Sequence, residues 1–169
     1  MKLTFLASIL LCPLTLMASS NEEEGQEATD FSAFLTMSFE TQKIRESRLI
    51  SIEQFSLMSA DKDTLIIDAR SSAAYRDAHI AGAININFSD FTAEKLKEQI
   101  PSKSTRILIY CNNNFISQRS SLLDKALPLA LNVPTFINLY GYGYHNIYEL
   151  ADRIHDHDTR VKLVTSPKK

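Results

Sequence analysis

The segment Cys111-Asn112-Asn113-Asn114-Phe115-Ile116-Ser117-Gln118-Arg119 carries the residue types best suited to chemistry. A thiol opens it, side-chain amides follow, and a guanidinium closes it. The thiolate is the nucleophilic form of cysteine. It is favoured where backbone N–H groups, a helix N-terminus or a fixed cation faces the sulfur. Asparagine suits an anion-holding loop, since it tolerates positive φ better than other non-glycine residues and its amide donates hydrogen bonds. Arg119 adds a fixed positive charge if it faces the bowl. On the residues alone, Cys111 stays open between a nucleophile and a small buried apolar residue at a strand end.

Other polar residues read as structural. Asp68 and Arg70 end a strand and enter a turn. There a carboxylate accepts backbone N–H bonds and a guanidinium makes an ion pair. His79 fixes the turn before Gly82 through a ring hydrogen bond. His155-Asp156-His157-Asp158 alternates along a solvated segment, and no further ligands complete a metal site, so no metal is expected. Tyr140, Tyr142, Tyr144 and Tyr148 read as core and sheet-edge packing, with Tyr142 or Tyr144 open to lining a pocket.

These residues need elements to position them. Leu49-Ile50 is a brief strand, and Ser51 with Gln54 forms a capping box for the next helix. Thr64–Asp68, Ala83–Asn87, Arg106–Tyr110 and Thr135–Asn138 read as strands. Phe31–Arg48, a short helix capped by Ser71 or Ser72, Thr92–Ile100, Ile116–Ala126 and Tyr144–Ile154 read as helices. Pro101 and Pro128 stop two of them. Short strands alternating with helices predict an α/β fold, a central mostly parallel sheet flanked by helices on both faces. Ligands in such sheets sit beyond the carboxyl ends of the strands, which picks out Asp68, Cys111 and Asn138. A helix starting soon after Cys111 would aim its positive end at the thiol.

Composition narrows the class. The chain has 169 residues, 18 Lys+Arg, 20 Asp+Glu and a formal charge of −2, which argues against a nucleic-acid binder. Its 44% hydrophobic content exceeds what a disordered chain carries. Residues 1–20 read as a secretory signal peptide: Lys2, an apolar run from Leu3 to Met17, then Ala18-Ser19-Ser20. Pro13 interrupts that run, which is too short to span a membrane. Cleavage removes Lys2 and no acidic residue, so the charge goes from −2 to −3. It also removes Cys12, leaving Cys111 without an internal disulfide partner. No later segment reads as a membrane span. The organisation expected is a signal peptide (1–20), an acidic linker and N-terminal extension (21–47), one domain (48–160) and a C-terminal tail (161–169).

The chain from about Leu49 to Ile154 resembles a rhodanese-like domain. Asp68-Ala-Arg70, Tyr75, His79-Ile80 and Gly82-Ala83-Ile84-Asn85 are similar to the family's first signature. Ile107-Leu-Ile-Tyr-Cys111 is similar to the strand that leads into its active-site cysteine. Gly141-Tyr-Gly-Tyr with Tyr148 is similar to its glycine pair and following aromatic residue. The resemblance implies a rhodanese-like three-layer fold and sulfurtransferase activity. Cys111 would carry a persulfide, cradled by Asn112, Asn113, Asn114, Phe115, Ile116, Ser117, Gln118 and Arg119. It implies no metal or organic cofactor. The partners expected are a small sulfur-containing anion or a thiol, no nucleic acid, and an unidentified protein acceptor at most. The expected location is secreted or periplasmic. Arg119 lies eight positions after Cys111, so the loop is longer than the family's usual six or seven residues. That spacing keeps two alternatives in view: a non-catalytic binding module of the same fold, and a cysteine-dependent phosphatase or arsenate-reductase-like enzyme.

Overall fold

A computed structural model describes residues 28–167. The expected signal peptide and residues 21–27 of the expected linker lie outside those residues. In chain order the elements are α1 (Phe31–Glu46), β1 (Leu49–Ile50), α2 (Ile52–Ser59), β2 (Thr64–Asp68), α3 (Ser72–Asp77), β3 (His79–Ile80) and β4 (Ile84–Asn85). They continue with α4 (Ala93–Gln99), β5 (Arg106–Tyr110), β6 (Phe115–Ile116), α5 (Asn132–Gly141), β7 (Ile147–Leu150), β8 (Ile154–His155) and β9 (Leu163–Val164). Short 3-10 turns occur at Phe88–Asp90, Asn112–Asn114, Ser120–Leu122 and Leu127–Leu129.

The central sheet has five strands in the order β1-β7-β5-β2-β4, and every pairing in it is parallel. Parallel strands need crossovers, and helices supply them on both faces. One core joins Ile52 and Phe55 of α2 to Ile66, Leu108, Tyr110 and Leu150 of the sheet. The other joins Leu96 of α4 and Phe136 and Leu139 of α5 to Ile67, Ile107, Ile109 and Ile147, with Ile44 of α1 packed against it. Strand β5 explains both: Ile107 and Ile109 face one core and Leu108 and Tyr110 the other, by the two-residue period of a strand.

Local signals start the early helices. Ser51 and Gln54 form the reciprocal capping box of α2, and the Ser71 and Thr92 side chains cap α3 and α4. Pro101 stands just after α4.

The C-terminal third differs from expectation. Residues 116–126 are not a helix. They hold β6 and a 3-10 turn, because asparagine side chains fasten their backbone: Asn112 Nδ2 donates to Ser121 O, and Asn113 bonds both Lys125 O and Lys125 N. Thr135–Asn138 is not a strand but the middle of α5. Asn132, Thr135, Phe136 and Leu139 share its buried face at helical spacing, and Pro134 sits in the first turn, where a missing N–H is harmless. Tyr144–Ile154 is not a helix; it contains β7 and β8. Gly143, at φ +84°, ends α5 in a Schellman turn, with Tyr144 N bonded to Leu139 O and Gly143 N to Tyr140 O. The Gly141-Tyr-Gly sequence is therefore a helix stop ahead of β7. Strand β4 keeps only the middle of the expected Ala83–Asn87 run.

From Phe31 onward the described residues form one compact unit. Residues 31–46 of the expected extension are helix α1, which packs on α5. The ordered fold also runs past residue 160: Val161 is buried, and β9 pairs antiparallel with β3. Among the described residues, no helix is long and apolar enough to cross a membrane.

Candidate functional site

Cys111 directly follows β5, at the carboxyl edge of the central sheet, and is only 2% exposed. Its face of the sheet is the one covered by α5. The first residues of α5 have no side-chain cap, and Leu131, at the N-cap, makes no cap hydrogen bond through its side chain. The helix's first N–H groups need acceptors. The backbone groups of Asn132, Asn113 and Leu131 favour the charged form of the Cys111 thiol. The thiol thus lies near the uncapped start of α5, where a helix dipole favours negative charge.

Opposing influences act on that thiol. Burial, the largest, pushes its pKa up; the N–H groups of Asn132 and Asn113 pull it down; the Glu149 charge pushes it up again; and Leu131 N–H pulls it down. The balance is a thiol raised above its ordinary value.

Glu149 belongs to a buried polar chain behind the sulfur. Cys111 N donates to Asn114 Oδ1 at 2.9 Å. Asn132 Nδ2 bridges Asn114 Oδ1 at 3.2 Å and Glu149 Oε1 at 3.3 Å. Glu149 is gripped by both arms of the Arg45 guanidinium from α1, Nε to Oε2 at 2.7 Å and Nη2 to Oε1 at 2.6 Å. Asn114 Nδ2 donates to Leu150 O at 2.8 Å and Asp152 O at 3.1 Å, which ties the loop to the end of β7.

The rest of the expected cradle disperses. Asn112 and Asn113 spend their amides on the segment at Ser121 and Lys125. Phe115 is buried edge-on to Tyr110, Ile116 pairs with β8, and Gln118 is exposed. Ser117 Oγ donates to Asp156 Oδ2 at 2.5 Å, and Arg119 Nε lies 3.7 Å from the same oxygen. Arg119 therefore faces Asp156 and not the sulfur. A different cation stands near the cysteine loop: Lys125 lines a cleft of about 380 Å³ with Arg70, Ser71, Ser89, Asn112 and Leu131. Cys111 does not line this cleft; its neighbours Asn112 and Leu131 do. Asn138 is away from any strand end and bonds Pro134 O within α5.

Asp68, Arg70 and Tyr110 make a second buried network on the opposite face. Arg70 grips Asp68 through Nε at 2.9 and 3.1 Å and through Nη2 at 2.6 Å. It also donates to Ala78 O and Ser121 O, so it joins three loops. Tyr110 Oη donates to Asp68 Oδ2 at 2.6 Å and accepts from Ile80 N at 3.1 Å. Burial and the Asp68 charge hold the Tyr110 phenol well above its ordinary pKa. His79 stacks on Tyr75 at 3.8 Å, its Nδ1 2.7 Å from Tyr75 O. Among the described residues, no group of three or more His, Cys, Asp or Glu side chains could hold a metal ion.

The sequence reasoning missed Glu149, Arg45, Asn132, Lys125 and Tyr110. Glu149 had a signal, an acid inside the apolar run Ile147-Tyr-Glu-Leu150, which becomes conspicuous once that run is read as a buried strand.

Against known families, residues 51–154 match the model of the rhodanese-like domain. The chain belongs to the rhodanese-like domain family. The match begins at the α2 cap and ends on β8, leaving α1 and β9 outside it. Similar solved structures include the BH2092 protein of Bacillus halodurans, 20% identical, covering 70% of this chain and 77% of its own, with a TM-score of 0.47. The hp1203 protein of Helicobacter pylori is 19% identical over 72% of this chain and 93% of its own, at a TM-score of 0.46. The Rhodanese_3-like domain of the Anabaena sp. Alr3790 protein is 17% identical over 63% and 96%, at 0.41. No curated protein matches the chain.

Proposed function

We propose that this rhodanese-like protein is an exported sulfurtransferase that moves sulfane sulfur through a persulfide on Cys111. The observation that supports this best is the position of the sulfur, at the carboxyl edge of a parallel sheet near the start of α5, where the backbone groups of Asn132, Asn113 and Leu131 favour its charged form. The same donors would hold the terminal sulfur of a persulfide anion. With thiosulfate as donor, the Cys111 thiolate attacks the outer sulfur, the S–S bond to the sulfite group breaks, and sulfite leaves with the bond pair. An acceptor thiolate then attacks the outer persulfide sulfur, and Cys111 departs as thiolate. Charge balances in both steps, and no oxidant is needed. Lys125 and the cleft beside Asn112 and Leu131 offer the approaching anion a cationic wall. Export rests on the pattern of residues 1–20.

A second reading is a non-catalytic binding module. Two observations favour it: Cys111 is 2% exposed, and burial raises its thiol. Intact mass spectrometry of the mature protein after thiosulfate treatment, without reductant, separates the two. The sulfurtransferase gains one sulfur atom on Cys111, loses it to cyanide, and gains nothing as Cys111→Ala. A module gains nothing, and its thiol alkylates only after denaturation.

A further inference from the structure

Helix α1 lies outside the matched domain, yet it supplies Arg45 to the polar chain behind Cys111. We propose that Arg45 and Glu149 are positioning residues for Cys111, setting the thiol's reactivity through the hydrogen-bonded chain that joins them to it. This rests on Cys111 being the working group. Glu149 is 5% exposed, on the neighbouring strand, in register with Ile109, two residues before Cys111. A lone carboxylate there would be costly to bury and would oppose a thiolate. Arg45 neutralises it with a two-armed grip, and Asn132 passes the geometry on to Asn114 and the Cys111 backbone. The seat of α1 is close-fitting: a β-carbon built on Gly141 of α5 would stand 2.5 Å from Met37 Sδ of α1.

Other charges near the loop are committed elsewhere. Asp68 and Arg70 pair with each other on the opposite face with Tyr110. Asp152 accepts from Ile52 N, and Lys125 lines the outer cleft. Glu149 is the buried acid that the Asn132–Asn114 chain joins to the Cys111 backbone.

The test is the pH dependence of Cys111 alkylation by iodoacetamide, read by mass spectrometry on the full mature chain. Glu149→Gln is expected to lower the midpoint by about half a pH unit, roughly threefold more thiolate at neutral pH. Arg45→Met is expected to raise the midpoint, and the double variant to follow Glu149→Gln. Arg45→Lys keeps the charge and is expected to stay near the parent, which preserves the comparison if Arg45→Met fails to fold. A purely structural pair would lower thermal stability in the variants while their midpoints coincide with the parent, and that result overturns the proposal. Thiosulfate loading distinguishes this failure from failure of the sulfurtransferase reading. Coincident midpoints with a persulfide still formed refute the positioning role alone; separated midpoints with no persulfide refute the activity alone.

Discussion

Removing the Tyr110 hydroxyl tests whether the Asp68–Arg70 network is sealed from water. In Tyr110→Phe the ring keeps its edge-on contact with Phe115 and its place under the Arg70 guanidinium, 5.7 Å from the ring centre. Only the oxygen is lost. With it goes a 2.6 Å hydrogen bond to the Asp68 carboxylate, worth about 1.5–3 kcal/mol as a bond to a charged group. Ile80 N also loses its 3.1 Å acceptor, and a buried orphaned donor costs about 1–3 kcal/mol. Asp68 retains three contacts from the Arg70 side chain and one from Arg70 N, so the first term stays at its lower end. The expected destabilisation is about 3 kcal/mol, since such terms are not additive. Urea unfolding followed by circular dichroism should show the midpoint falling by about 1.5 M at unchanged slope, for a slope near 2 kcal/mol per M. A loss below about 1 kcal/mol would refute the reasoning, because water would then be reaching Asp68 and Ile80 N.

Gly143→Ala is expected to cost about 1 kcal/mol in the same assay, since φ +84° penalises any β-carbon. Truncation after Arg160 is expected to destabilise by about 2 kcal/mol or more, since it uncovers the Val161 contact and the β3 edge; an unchanged urea midpoint would contradict the pairing of β9 with β3. The Cys111 thiol is raised in the folded chain, so its contribution to stability is complete below the unfolded value, about 8.5, and is lost as pH rises through the folded value. The urea-midpoint difference between the parent and Cys111→Ser should therefore shift against the parent from neutral to strongly alkaline pH; a constant difference would refute a raised thiol.

The sheet's centre was legible because its signals are local. Arg106-Ile-Leu-Ile-Tyr110 and Thr64-Leu-Ile-Ile-Asp68 are short apolar runs ending in polar residues, and the Ser51–Gln54 box and the Thr92 cap announce helices within a few residues of themselves. The Asp68-Ala-Arg70 turn was legible as an ion pair, because the two charges are close in sequence and flank the end of a strand. The C-terminal third was not. Thr135-Phe-Ile is too short to distinguish a strand from a buried helix by periodicity, and only the wider spacing from Asn132 to Leu139 separates them. The Glu149–Arg45 pair spans 104 residues, and no local pattern joins two charges so distant.

The surroundings of Cys111 are likewise assembled from distant parts of the chain. Most side chains directly after Cys111 do other work: Asn112 and Asn113 fasten the segment leading to Leu131, and Arg119 turns to Asp156. Donors for the sulfur come instead from Asn113 N–H and from the start of α5, which the chain reaches only at Leu131 and Asn132. An uncapped helix N-terminus over a buried thiol needs the helix held in place, and α1 packs on α5 while Arg45 reaches past it to Glu149. Helix α1 therefore touches both α5 and, through Arg45, Glu149, the two parts on which the proposed tuning of Cys111 depends.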